Sequence, residues 1–68
     1  MKITYDPEVD ALYIEIRIGD FDHNTKLDTN TIVNYDKEGN VLGIELLFVK
    51  ERNPTFLERI NFKNILSV

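Results

Sequence analysis

An ungapped internal repeat constrains this chain more than any other feature. Residues 3–16 align with residues 33–46 at an offset of 30, and six of the 14 pairs are identical. The identities are Tyr5/Tyr35, Asp6/Asp36, Glu8/Glu38, Leu12/Leu42, Ile14/Ile44 and Glu15/Glu45. Two copies are too few for a solenoid, so the repeat reads as a duplicated supersecondary unit.

The unit has the pattern of a β-hairpin. Leu12, Ile14, Ile16 and Ile18 alternate with Tyr13, Glu15 and Arg17, the period of a strand with one buried face. Asp6-Pro7-Glu8-Val9-Asp10 between the strands is turn chemistry. In the second copy the strands fall near 31–35 and 41–49, around Asp36-Lys37-Glu38-Gly39-Asn40. One face should carry Ile3, Tyr5, Leu12, Ile14, Ile16, Ile18, Val33, Tyr35, Leu42, Ile44, Leu46 and Phe48. The other carries Tyr13, Val41, Leu47 and Val49 among polar residues, which suits a central or interface strand.

The predicted fold is α+β: a four-stranded antiparallel sheet from two duplicated hairpins, about 2–18 and 31–49, in a single domain over 1–68. Gly19–Asp28 reads as a polar connection, part of which can extend the second or third strand. A short C-terminal helix packed on the sheet should start at Asn53-Pro54, with Asn as N-cap and Pro at the first helical position. Residues 61–68 allow an extra edge strand or a tail. A seven-residue helix spans about 10 Å. A four-stranded sheet is roughly 15–20 Å across. Part of one face is therefore left for a second copy of the chain or another protein.

Composition narrows the function classes. The chain has 68 residues, no cysteine, and 12 acidic against 8 basic side chains, for a net charge of −4. Disulfides and cysteine–zinc sites are excluded. The basic residues are scattered, which argues against nucleic-acid binding. No apolar run suits a signal peptide or a membrane span, so a cytoplasmic location is expected.

Candidate chemistry is sparse. His23, the only histidine, lies among Asp20, Asp22 and Asp28, and an enzyme or metal-binding role there is the alternative reading. A triad would need a nucleophile and an orienting group beside it, so a solvated residue is the plainer role. The acidic run 20–24 lacks the glycine and the closing glutamate of a calcium loop. Asp6 and Asp36 have a structural use in turns. Glu15 and Glu45 recur on strands, where solvation is sufficient. No catalytic, cofactor or metal residues are assigned. Tyr13, Val41, Leu47 and Val49 are the expected interface, joined by Phe62 and Leu66.

Tyr5–Ile14, with Asp28, then Ile32–Asp36 and Gly39–Leu47, resemble a small prokaryotic family of unknown function, DUF2283. The family's patterns are Y-D-x-x-x-D-A-L-Y-I, a V-D-Y-D-like stretch and G-x-x-x-G-I-E-I-L, the last of which reads Gly39-Asn40-Val41-Leu42-Gly43-Ile44-Glu45-Leu46-Leu47 here. Asn34 departs from the family's aspartate, and the C-terminal segment varies. The resemblance implies a small antiparallel β fold with a helix and carries no catalytic residues. Some members are encoded beside small toxin-like proteins, which implies an antitoxin-like role. The expected function is a non-catalytic protein-interaction module. Its expected partners are a second copy in a homodimer and a small basic protein.

Overall fold

The computed structural model describes residues 1–59. The chain forms β1 (Lys2–Asp6), β2 (Ala11–Glu15), β3 (His23–Asp28), β4 (Thr31–Tyr35) and β5 (Val41–Leu47). Two helical turns follow, α1 (Val49–Arg52) and α2 (Phe56–Arg59). The strands make one antiparallel sheet in the order β1-β2-β5-β4-β3.

The duplication becomes an internal two-fold. Hairpin β1–β2 matches hairpin β4–β5, and the copies join through β2 and β5. At the centre Ile14 pairs with its own counterpart, Ile44. Leu12 pairs with Leu46, and the Ile16 N–H donates to the Leu42 carbonyl across the equivalent position. Every strand of the repeat thus obtains a partner, and the two copies bury their matching apolar positions together.

Among the described residues the sheet has five strands: the four of the repeat and an extra edge strand, β3, which comes from the polar connection. All six of its residues are exposed and, among the described residues, it pairs only with β4, so it carries no apolar period. Asp28 turns the chain back by accepting the Asn30 N–H at 2.8 Å. Residues 61–68 lie outside the described residues.

Register places the middle rows of the apolar face as the repeat predicts, but a shift after Asn34 sets Tyr35 opposite Val41, which the repeat puts on the other face. One row is Ile3–Ile14–Ile44–Val33–Thr25 and the next is Tyr5–Leu12–Leu46–Thr31. The opposite face is mixed: Thr4–Tyr13–Glu45–Ile32–Lys26, then Lys2–Glu15–Gly43–Asn34–Asn24. Among the described residues the buried apolar core is Ala11, Leu12, Val33, Leu42 and Val49, with Leu12 only 2% exposed. Each leucine and valine among them contributes about 1.5–3 kcal/mol on full burial, and Ala11 less.

Strand alternation stops earlier than expected at two places. The Ile16 and Arg17 N–H groups both donate to the Leu42 carbonyl, at 2.8 and 3.0 Å. Two donors on one carbonyl are a bulge, which ends β2 at Glu15 and leaves Ile18 off the ladder. β5 ends at Leu47 because Phe48 turns left-handed, at φ 55°, into α1. The first helical turn therefore begins at Val49, before the predicted Asn53 start. Asn53 instead closes α1, donating its N–H to the Val49 carbonyl at 3.0 Å.

Phe48 offers α1 no side-chain cap. Asp10, forty residues earlier, supplies it. Its carboxylate accepts the Lys50 and Glu51 N–H groups at 2.8 and 3.0 Å. These are donors that a short helix cannot satisfy internally. The helical turns are tied in this way to the end of the sheet at the β1–β2 turn.

Candidate interaction surface

Several large apolar side chains remain exposed: Val9, Ile16, Ile18, Phe21, Leu27 and Phe48. Ile16 is 51% exposed and Ile18 86%. Ile16 extends the apolar face of β2 at the bulge, and Ile18 follows off the ladder. On that face Ile3, Ile14, Ile44 and Leu46 are themselves only half-buried. The apolar surface thus runs from the sheet's middle rows toward the end of β2.

The residues expected at the interface are dispersed. Tyr13 and Leu47 share the mixed face as diagonal neighbours, since Tyr13 pairs with Glu45. Tyr13 is half-buried and its ring lies across Gly43. A Cβ on Gly43 would overlap the tyrosine Cζ and Oη and lie 2.8 Å from the Ile14 carbonyl oxygen. Tyr13 and Gly43 occupy equivalent positions in the repeat. One copy supplies the ring and the other the space beneath it. Val41 pairs with Tyr35 at the far end of β5, and Val49 is buried beyond the sheet. Phe62 and Leu66 lie outside the described residues.

The turn carboxylates have structural partners. Asp6 accepts the Glu8 N–H at 2.9 Å, and Asp36 accepts the Glu38 and Asn40 N–H groups at 3.0 and 2.8 Å. Asn40 also donates its side-chain amide to Asp36, and these donors together hold the Asp36 carboxyl below the usual range. Asp28 is lowered mainly by the Asn30 N–H and the Thr31 hydroxyl.

Asp10 departs from this pattern, because its partners come from two distant elements. The Tyr5 hydroxyl donates to it at 2.7 Å, alongside the two α1 N–H groups. The hydroxyl, then the Lys50 N–H, hold the Asp10 carboxyl low. The same bond raises the Tyr5 phenol above its ordinary value, since ionisation would remove the donated proton. No local sequence signal marks this junction, because its groups lie at positions 5, 10 and 50.

His23 lies on β3 rather than in a loop. Its ring stacks on Tyr35, the residue opposite, with centroids 5.1 Å apart. Its Nδ1 lies 2.7 Å from an Asp22 carboxylate oxygen, and the side chain is 52% exposed. Among the described residues no three His, Asp or Glu side chains converge as a metal site. A shallow hollow of about 260 Å³ opens nearby, between Asp20, Phe21, Asp22 and the 36–38 turn. No described helix is long and apolar enough to cross a membrane.

Architecture and surface define a small, duplicated, antiparallel β domain with one apolar sheet face. The chain belongs to the family described as protein of unknown function, DUF2283, whose model matches residues 2–50. The match spans the whole sheet and stops within α1. No curated protein and no solved structure matches the chain.

Proposed function

We propose that the protein is a non-catalytic interaction module whose first partner is a second copy of the same chain. The observation that carries this reading is the balance of apolar side chains. Among the described residues, more large apolar side chains are exposed than are buried. One of them, Ile16, extends a sheet face whose middle rows are only half-buried. Monomers seldom leave large apolar patches open to water. A second copy offers the same patch, as a two-fold interface requires.

Sedimentation equilibrium of the purified protein over a wide concentration range tests the reading. Ile16→Asp and Ile18→Asp replace exposed residues, so the core stays intact. Each should weaken self-association on the order of tenfold or more, from the apolar burial lost. A wild-type chain that stays monomeric at about 200 µM, above the micromolar range of weak specific pairs, removes the reading.

A second reading is neutralisation of a small basic protein, as an antitoxin does. It is favoured by the net charge of −4 and by the acid-lined hollow bearing Asp20, Asp22, Asp36 and Glu38. Such a contact should weaken steeply with added salt. Growth rescue on coexpression with a toxic neighbouring gene supports it, and a harmless neighbour eliminates it.

A further inference from the structure

The two edges of the sheet are built differently. β3 carries Lys26 near its middle, and its register shifts between Lys26 and Asp28. A charged side chain and an irregular ladder are the ordinary protections of an edge. β1 has neither. Its five residues pair with β2 in unbroken register, and among the described residues its outer side has no partner strand. Lys2, Thr4 and Asp6 are exposed along it.

From this edge we infer that two copies join through β1, antiparallel and centred on Thr4, into a ten-stranded sheet. The inference rests on the homotypic reading above for its second copy, and adds an edge contact that does not itself involve Ile16 or Ile18. The sequence of β1 is Lys2-Ile3-Thr4-Tyr5-Asp6. Reversed against itself about Thr4, it sets each Lys2 opposite the other copy's Asp6. Each Ile3 falls opposite Tyr5, and the two Thr4 residues meet. Opposite charges, a β-branched residue against an aromatic, and paired threonines are all favourable cross-strand neighbours.

The competing arrangements lack this match. A parallel pairing in register sets Lys2 beside Lys2 and Asp6 beside Asp6. An antiparallel pairing centred on Tyr5 draws Pro7 into the ladder, where it has no N–H to donate. One centred on Ile3 leaves Asp6 without a partner. The Thr4-centred pair also keeps the apolar rows of the two sheets on the same side. The apolar face then runs continuously from one copy to the next.

The native chain has no cysteine, so single-cysteine variants report the contact directly. Across the proposed centre the two Thr4 Cα atoms fall about 4.5–5.5 Å apart. That lies within the span a disulfide bridges. The two Lys2 positions are offset by four residues, about 13 Å along the strands, well beyond that span. Thr4→Cys should therefore form a covalent dimer under mild oxidation, at least tenfold faster than Lys2→Cys. Lys2→Asp sets like charges opposite each other at both ends of the pair. It should weaken association about tenfold, from two lost favourable pairs.

Three outcomes are distinguishable. Association with fast Thr4→Cys cross-linking supports the edge pair. Association in which Thr4→Cys cross-links no faster than Lys2→Cys overturns it and leaves the homotypic reading standing. A monomeric wild type overturns both.

Discussion

Gly43 offers the sharpest test of how the duplicated halves fit, because the sign of one substitution decides it. A glycine inside a strand is ordinarily a weakness, and replacing it with alanine gains about 0.5–1 kcal/mol. At Gly43 the added methyl meets the Tyr13 ring and, at 2.8 Å, the Ile14 carbonyl oxygen. The ring can swing aside only by leaving the surface it covers, and the carbonyl belongs to the central strand pair. Overpacking of this kind costs about 1–3 kcal/mol. The expected net effect of Gly43→Ala is a loss of about 1–2 kcal/mol, once the propensity gain is set against the overpacking cost. At 4–8 °C per kcal/mol for a domain this small, Tm should fall by roughly 5–15 °C. Urea unfolding at one fixed protein concentration, with Tm as a second probe, reads the change. The same substitution in a Tyr13→Ala background should cost at least about 1 kcal/mol less, because the ring is gone. A Gly43→Ala variant that is more stable than wild type would refute the placement of Tyr13 over Gly43.

Other perturbations separate the remaining features. Leu12→Ala, at the most buried side chain, should cost about 2–5 kcal/mol in urea unfolding, whereas Leu27→Ala on the exposed edge should stay within about 0.5 kcal/mol. Gly39, at φ 87° with open space where a Cβ would sit, should lose about 1–2 kcal/mol on replacement by alanine, and less with asparagine, which tolerates that conformation. Asp10, Asp28 and Asp36 all titrate below the ordinary aspartate value of about 3.9. The unfolded chain therefore binds protons more readily, so the stability they contribute is present above that value and lost as pH falls through their native values. Tyr5→Phe removes the largest cause of the Asp10 shift, so NMR titration should find Asp10 moved upward and Asp28 unmoved.

Four of the five strands were legible in the sequence because the repeat states the same hairpin twice. Tyr5, Leu12 and Ile14 recur as Tyr35, Leu42 and Ile44, and register confirms the shared face for Ile3, Leu12, Ile14, Val33, Ile44 and Leu46. β3 escaped for a physical reason. An edge strand with every residue exposed needs no apolar alternation, and only its backbone ladder defines it. Alternation also overran the ends of β2 and β5, since neither a shared carbonyl at Leu42 nor a left-handed Phe48 leaves a mark in residue type. The helix expected from Asn53-Pro54 appears as α2, whereas α1 leaves no local signal because its cap lies at Asp10 rather than beside it. Among the described residues of the expected interface, only Tyr13 and Leu47 are neighbours. The sequence reading named Tyr13 as a surface group, without the glycine that its ring covers.

The internal two-fold also divides the work of folding unevenly. Each hairpin closes through a turn of about four residues, for which the length-dependent closure entropy is about 1 kcal/mol. Bringing Ile14 to Ile44 closes a loop of thirty residues, for which the same term is about 3 kcal/mol. That meeting is the one non-local step in the strand order, so contact between the hairpins governs the rate of ordering. Losses at Ile14 or Ile44 would then slow folding, whereas losses in β3 would speed unfolding. The symmetry axis of the sheet and the slow step of its assembly fall on the same pair of isoleucines.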